Sequence, residues 1–174
     1  MPQHLVELQP WSDLSERLRS EVRSLVISPQ QIEYAGSGDA QIRRVETASG
    51  NNLVGLAIVH GDEAVGFLVL KRGSEAPDWA EPEAAVISGM RLGAAHQGKG
   101  LGRTALLALP AWLCKHWPAC SSITLSVDED NVAGIKAYAA AGFVDLGQRV
   151  QGRIGWVRYM SRPLEGRWSA QRMA

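Results

Sequence analysis

Between positions 97 and 102 the chain reads Gln97-Gly98-Lys99-Gly100-Leu101-Gly102, followed by Arg103 and a run able to form an amphipathic helix. A strand entering such a segment and a helix leaving it bring several backbone N–H groups together with no side chains to block approach. The first N–H groups of a helix lack internal partners and the helix dipole favours negative charge, so the segment is an anion site by construction. Lys99 and Arg103 add positive charge to it. A second group of reactive residues lies downstream. Asn131 and Tyr138 are spaced by two helical turns and share a helix face, and Ser126 and Asp128 share a strand face just before them.

Three kinds of phosphate reader compete for the glycine segment. A P-loop needs Gly, four residues, Gly-Lys and then Ser or Thr; the stretch from Gly93 comes near, but Gly100 occupies the place of the magnesium ligand. A dinucleotide fingerprint needs its third glycine where Arg103 stands, and no first βα unit precedes it. The third reading fits. Gln97, Gly100 and Gly102 in the order Gln-x-x-Gly-x-Gly after a strand resemble the pyrophosphate loop of the GNAT acetyltransferase superfamily. A second block, from Asn131 through Tyr138 to Gly142-Phe143, is similar to that superfamily's other signature. Ser28 to Tyr34 and Leu125 to Val127 further resemble the spermine/spermidine acetyltransferase branch.

The resemblance implies acetyl-CoA as co-substrate, with pyrophosphate on Gln97, Gly98, Lys99, Gly100, Leu101, Gly102 and Arg103. It implies that backbone groups of Met90, Arg91 and Leu92 receive the pantetheine arm where one strand splays from the next. Gly89 and Gly93 flank these residues, which suits a bulged strand with unpaired ladder groups. Asn131 is by resemblance a cofactor anchor; as a residue after Asp128-Glu129-Asp130 it is equally a plain N-cap. Tyr138 takes the role of general acid towards the departing thiolate.

An alkyl ammonium with a pKa near ~10 must lose a proton before it attacks a thioester. Many relatives carry a Glu for this where Ser126 stands here. The base is therefore open among Asp128 acting through water, Glu33, Glu81 and Glu83. Glu33, Tyr34 and Trp79 are the candidate acceptor-binding residues, and the branch resemblance implies a small polyamine-like amine. A peptide or amino-acid amine, or a non-catalytic acyl-CoA-binding domain, stands as the alternative.

The elements that must position these residues follow from periodicity. His4 to Gln9 alternates as a strand, Ser12 caps a helix through Leu25, and Ser28-Pro29 opens a second helix with Gln31 at the capping-box place. Asp39 to Ser49 is a third. Leu53–His60 and Ala64–Arg72 form a hairpin, Ala84–Leu92 leads to the glycine loop, and Leu101 to Leu113 is a helix. Ile123–Val127, a helix from Asn131 to Ala141, and strands Phe143–Val150 and Arg153–Ser161 complete the order. This is an α/β arrangement, and with the resemblance it implies a mixed sheet of about seven strands, a splayed strand pair and helices on both faces.

The length, 174 residues, suits one domain over 1–174 with a loose tail after about 163. Lys plus Arg and Asp plus Glu balance at 18 each, which argues against nucleic acid or an anionic membrane as partner. No apolar run reaches the roughly 20 residues of a spanning helix. Two cysteines and no signal-like start point to the cytoplasm. Cys114, His116 and Cys120 do not match zinc spacing, so no metal is expected and both thiols read as buried at a helix end. A homodimer is left open.

Overall fold

The computed structural model describes residues 5–164. His4 and the tail from residue 165 lie outside the described residues; Leu164, just before the tail, is buried and donates its N–H to the Ser121 carbonyl.

Seven strands join one sheet in the order β1-β2-β3-β4-β5-β7-β6. They are β1 (Val6–Pro10), β2 (Leu53–His60), β3 (Glu63–Lys71), β4 (Ala84–Leu92), β5 (Ser122–Asp128), β6 (Val144–Gln151) and β7 (Trp156–Pro163). Only β4 and β5 pair in parallel; the other neighbours run antiparallel. Five helices cover the sheet: α1 (Glu16–Arg23), α2 (Pro29–Ala35), α3 (Gly38–Thr47), α4 (Leu101–His116) and α5 (Val132–Ala140).

Strand alternation divides the core in two. Leu56, Ile58, Leu68 and Leu70 pack with the α4 stripe of Leu101, Ala105, Leu106, Leu109 and Leu113. Ala57, Val59, Phe67 and Val69 face the other way, onto Leu18 and Val22 of α1 and Ile42 of α3. The apolar residues of α4 recur at helical spacing, and each of the five is buried as the periodicity requires.

Several caps differ from expectation. Ser15, not Ser12, caps α1 by accepting the Leu18 N–H; Trp11 to Asp13 form a 3₁₀ turn, and Leu14 is buried ahead of the helix. Ser37 caps α3, which begins at Gly38, one residue earlier than expected. Ser28 caps α2 through the Gln31 N–H as expected. The Gln31 side chain does not close a capping box, because it accepts instead from Gln97 Nε2 at 2.8 Å. Cys120 is buried but Cys114 is exposed, so only one thiol matches the sequence reading.

Candidate active site

The parallel pairing of β4 with β5 holds only at Ala84–Ser122, Ala85–Ile123 and Val86–Thr124. Beyond Val86 the two strands part, leaving the second half of β4 without a ladder on that side. This is the splayed pair expected from the sequence. Against β3 the register of β4 slips by one residue, since Phe67 pairs with Arg91 but Val69 with Ser88. The extra residue is a bulge at Gly89, whose φ of 58° is left-handed. It also reverses side-chain parity. Ala85 and Ile87 face the α4 core, and beyond the bulge Met90 and Leu92 face that same core, while Arg91 turns to the opposite side.

Two cavities meet at this opening. One, of about 450 Å³, runs under the glycine loop between α2, β4 and the start of α5, and touches Met90, Arg91, Leu92, Gln97, Gly98, Gly102 and Asn131. The other, of about 630 Å³, lies between β4 and β5 and touches Trp79, Ser126, Asp128, Lys71, Glu75 and Arg153. Tyr34, Ala35, Met90, Asn131 and Tyr138 line both.

The glycine loop has the geometry of an anion cradle. Gly98 and Gly100 have φ of 75° and 76°, and a Cβ on either would meet nothing within 4 Å. Gly100 caps α4, and the first intrahelical bond of α4 is from Thr104 N–H to the Gly100 carbonyl. The N–H groups of Leu101, Gly102 and Arg103 thus precede the helical ladder. The Leu101 side chain is core, and those of Lys99 and Arg103 are exposed; these three residues and Gly100 do not line either cavity. Gln97 ties the loop back, donating to Gln31 Oε1 and, at 3.4 Å, to the Leu92 carbonyl.

Asn131 caps α5 by accepting the Gly134 N–H at 3.0 Å and also lines both cavities, so the two readings of this residue share one geometry. Tyr138 stands on the same face of α5, with its ring edge-on to Phe143 at 5.8 Å. Desolvation pushes its phenol up to about 12. Ser126 and Asp128 both reach the larger cavity, as strand alternation requires. Desolvation raises the Asp128 carboxyl above its ordinary value, Arg153 opposes the rise, and Asp130 and Glu33 add to it.

Trp79 lines the larger cavity and packs on Tyr159 at 4.6 Å. Glu33, Glu81 and Glu83 are exposed and line neither cavity; the Glu33 carbonyl, not its carboxylate, is engaged, by Arg153 at 2.7 Å. The sequence reading did not single out Lys71, Glu75 or Arg153. Glu75 is ion-paired with Arg44, and among the described residues Lys71 has no ion pair. No local signal marks these residues, because a hairpin end, a 3₁₀ turn and the β6–β7 turn converge only in the folded sheet. Among the described residues there is no cluster of His, Cys, Asp and Glu able to hold a metal.

A parallel pair splayed beside a bulge, with a glycine-capped helix at its end, defines the class. The chain belongs to the acetyltransferase (GNAT) family, whose sequence pattern matches residues 15–143. It is 35% identical over 102 residues to the uncharacterized N-acetyltransferase YbbJ of Bacillus subtilis (strain 168). That match covers 58% of this chain, and the chain spans 64% of the length of that relative. Among solved structures it is similar to AAC(6')-Ib in complex with ribostamycin and coenzyme A, at a TM-score of 0.73 and 20% identity over 97% of both chains. It is also similar to spermidine N-acetyltransferase from Vibrio cholerae in complex with CoA and spermine, at a TM-score of 0.69 and 19% identity over 91% of this chain and 95% of that one. At these identities the likeness is one of fold. No helix among the described residues is long and apolar enough to cross a membrane.

Proposed function

We propose that the protein is an N-acetyltransferase that moves the acetyl group of acetyl-CoA to a primary amine by direct attack in a ternary complex. The observation that carries this reading is the opening between β4 and β5, where a cavity beneath an anion cradle meets a second, charged cavity at Tyr138. The residues present fit the co-substrate: Gly98 and Gly100 leave open space at positive φ, and the helix behind them offers unpaired N–H groups to a pyrophosphate. When bound, acetyl-CoA supplies a thioester that a neutral amine can attack.

The chain's own residues then divide the work. Main-chain groups of Met90, Arg91 and Leu92 align the pantetheine arm, and Asn131 holds it from α5. Asp128, through a water, takes the proton from the incoming ammonium. Tyr138 keeps its proton throughout the neutral range and offers it to the departing sulfur. Holding both partners in one opening supplies the proximity term.

For the acceptor, the first reading is a small polyamine-like amine, with one ammonium facing Asp128 and Trp79 alongside. The similar V. cholerae structure, a complex with CoA and spermine, supports this reading. A second reading, an amino-acid or peptide amine, is favoured by Lys71 and Arg153, two cations lining the larger cavity that would suit a carboxylate. Thiol release measured over a panel of spermidine, amino acids, short peptides and aminoglycosides separates the two. Turnover of diamines that worsens with salt supports the first reading; turnover confined to carboxylate-bearing amines and lost in Lys71→Met supports the second.

A further inference from the structure

The bulge at Gly89 is held from outside the cleft by two side chains that no part of the transfer chemistry requires. Gln41 of α3 sends its Nε2 to the carbonyls of Ser88 at 3.2 Å and Gly89 at 3.1 Å. Arg91, 4% exposed, donates from Nε to the same Gly89 carbonyl at 3.3 Å. Its other guanidinium nitrogens reach the carbonyls of Gly36 at 2.9 Å and Ala35 at 3.0 Å. The α2–α3 corner and the bulge are thus locked together, and Tyr34 and Ala35 at the end of α2 line both cavities. Packing at the bulge is close, because a Cβ on Gly89 would lie 1.9 Å from Gln41 Nε2.

A peptide unit is planar and trans, so its C=O and N–H point in opposite directions. The carbonyl of the Gly89–Met90 unit is drawn towards α3 and Arg91. The Met90 N–H is therefore turned the other way, towards the α4 side where Met90 packs and lines the cavities. Resting on the acetyltransferase reading above, we infer that Gln41 and Arg91 are positioning residues that aim the Met90 N–H at the thioester carbonyl oxygen. A donor fixed in this way stabilises the charge that develops on that oxygen.

The energetics of Gln41 point away from a purely structural role. Its Oε1 is buried, and among the described residues no group donates to it. A buried acceptor left without a partner is destabilising. A leucine of similar size would remove that cost together with the two bonds to Ser88 and Gly89, so the two changes largely offset and what the amide chiefly contributes is the direction of the two carbonyls.

The test uses the whole chain with Gln41→Leu and Arg91→Lys, acetyl-CoA, and an amine turned over by the wild type. The expected result for Gln41→Leu is a fall in kcat of about tenfold or more, with the Kd for CoA within twofold and the melting temperature near that of wild type. The infrared stretch of the carbonyl-¹³C thioester, lowered on binding to wild type, should move back towards its free value. Arg91→Lys retains the charge and loses the fork to Ala35 and Gly36, and should show the same spectral change to a lesser degree. An unchanged kcat and carbonyl stretch in Gln41→Leu would overturn the inference. So would losses of kcat, CoA affinity and melting temperature in proportion, which mark a structural role. A wild type that binds CoA but acetylates nothing would instead defeat the acetyltransferase reading on which the inference rests.

Discussion

Tyr138 and Asp128 face the same opening from different elements, and desolvation raises both pKa values, which keeps the phenol protonated and makes the carboxylate the stronger base. The phenol, pushed up to about 12, stays protonated at any pH at which the protein would be assayed, so it contributes no basic limb to the rate profile below that range. Tyr138→Phe keeps the ring against Phe143 and removes only the hydroxyl. Turnover should fall by about 10²–10⁴-fold with CoA affinity nearly unchanged, as steady-state rates and calorimetric binding would show. The Asp128 carboxyl is raised as well. A raised carboxyl pKa means that the proton-accepting form is lost at a higher pH than for an ordinary aspartate. Because Arg153 lowers this pKa, Arg153→Ala should raise it further and move the acid limb of kcat/KM to higher pH. A ¹³C NMR titration of the Asp128 carboxyl reads this directly, and a midpoint that falls in Arg153→Ala would refute the assignment. Among the residues, those with chemistry at short sequence spacing were legible beforehand: Gln97, Asn131, Tyr138, and the pair Ser126 and Asp128. Lys71, Glu75, Arg153 and Gln41 were not. Their neighbours in space are distant in sequence, and no period or spacing connects them.

The β4 bulge, the splayed β4–β5 pair and the glycine-capped α4 are the elements that make the opening. The bulge and the capped helix were readable because each has a local cause, Gly89 inside a strand and a glycine run before an apolar stripe at helical spacing, whereas the splay was implied only by the family resemblance. Cap positions were less so, since Ser12 and Ser15 offer the same chemistry and the 3₁₀ turn at Trp11, buried under Phe67, decides between them. Gly89→Ala should destabilise the fold by about 1–3 kcal/mol, because a φ of 58° disfavours any side chain and Gln41 occupies the space. Denaturant unfolding would check it, and a loss below ~0.5 kcal/mol would mean that the bulge relaxes freely. Gly100→Asp has room for its side chain but puts a negative charge at the cap of α4. It should weaken acetyl-CoA binding at least about tenfold, beyond the roughly 1–2 kcal/mol of backbone strain that a side chain at a φ of 76° adds to the folded state, and calorimetry together with thermal melts of the ligand-free protein separates the two effects.

Across the whole molecule, one seven-stranded sheet carries a core on each face, and the opening lies where the sheet fails to close between β4 and β5. The chain has no net charge to steer a large anionic partner, so recognition falls to local groups: the α4 cradle for an anion, and the mixed charges of the larger cavity for the acceptor. A ligand selective for the folded state raises its stability by mass action, by about 2.7 kcal/mol at 100 times its Kd, so acetyl-CoA should raise the melting temperature. The central claim, acetyl transfer from the cradle side to the acceptor side of one opening, is tested most directly by mass spectrometry of an amine incubated with the protein and acetyl-CoA. The account predicts an amine heavier by one acetyl group, formed together with an equal amount of free CoA thiol and suppressed in Tyr138→Phe. Binding of acetyl-CoA with no acetylated amine across polyamines, amino acids, peptides and aminoglycosides would contradict it, leaving a domain that holds acyl-CoA without transferring the acyl group.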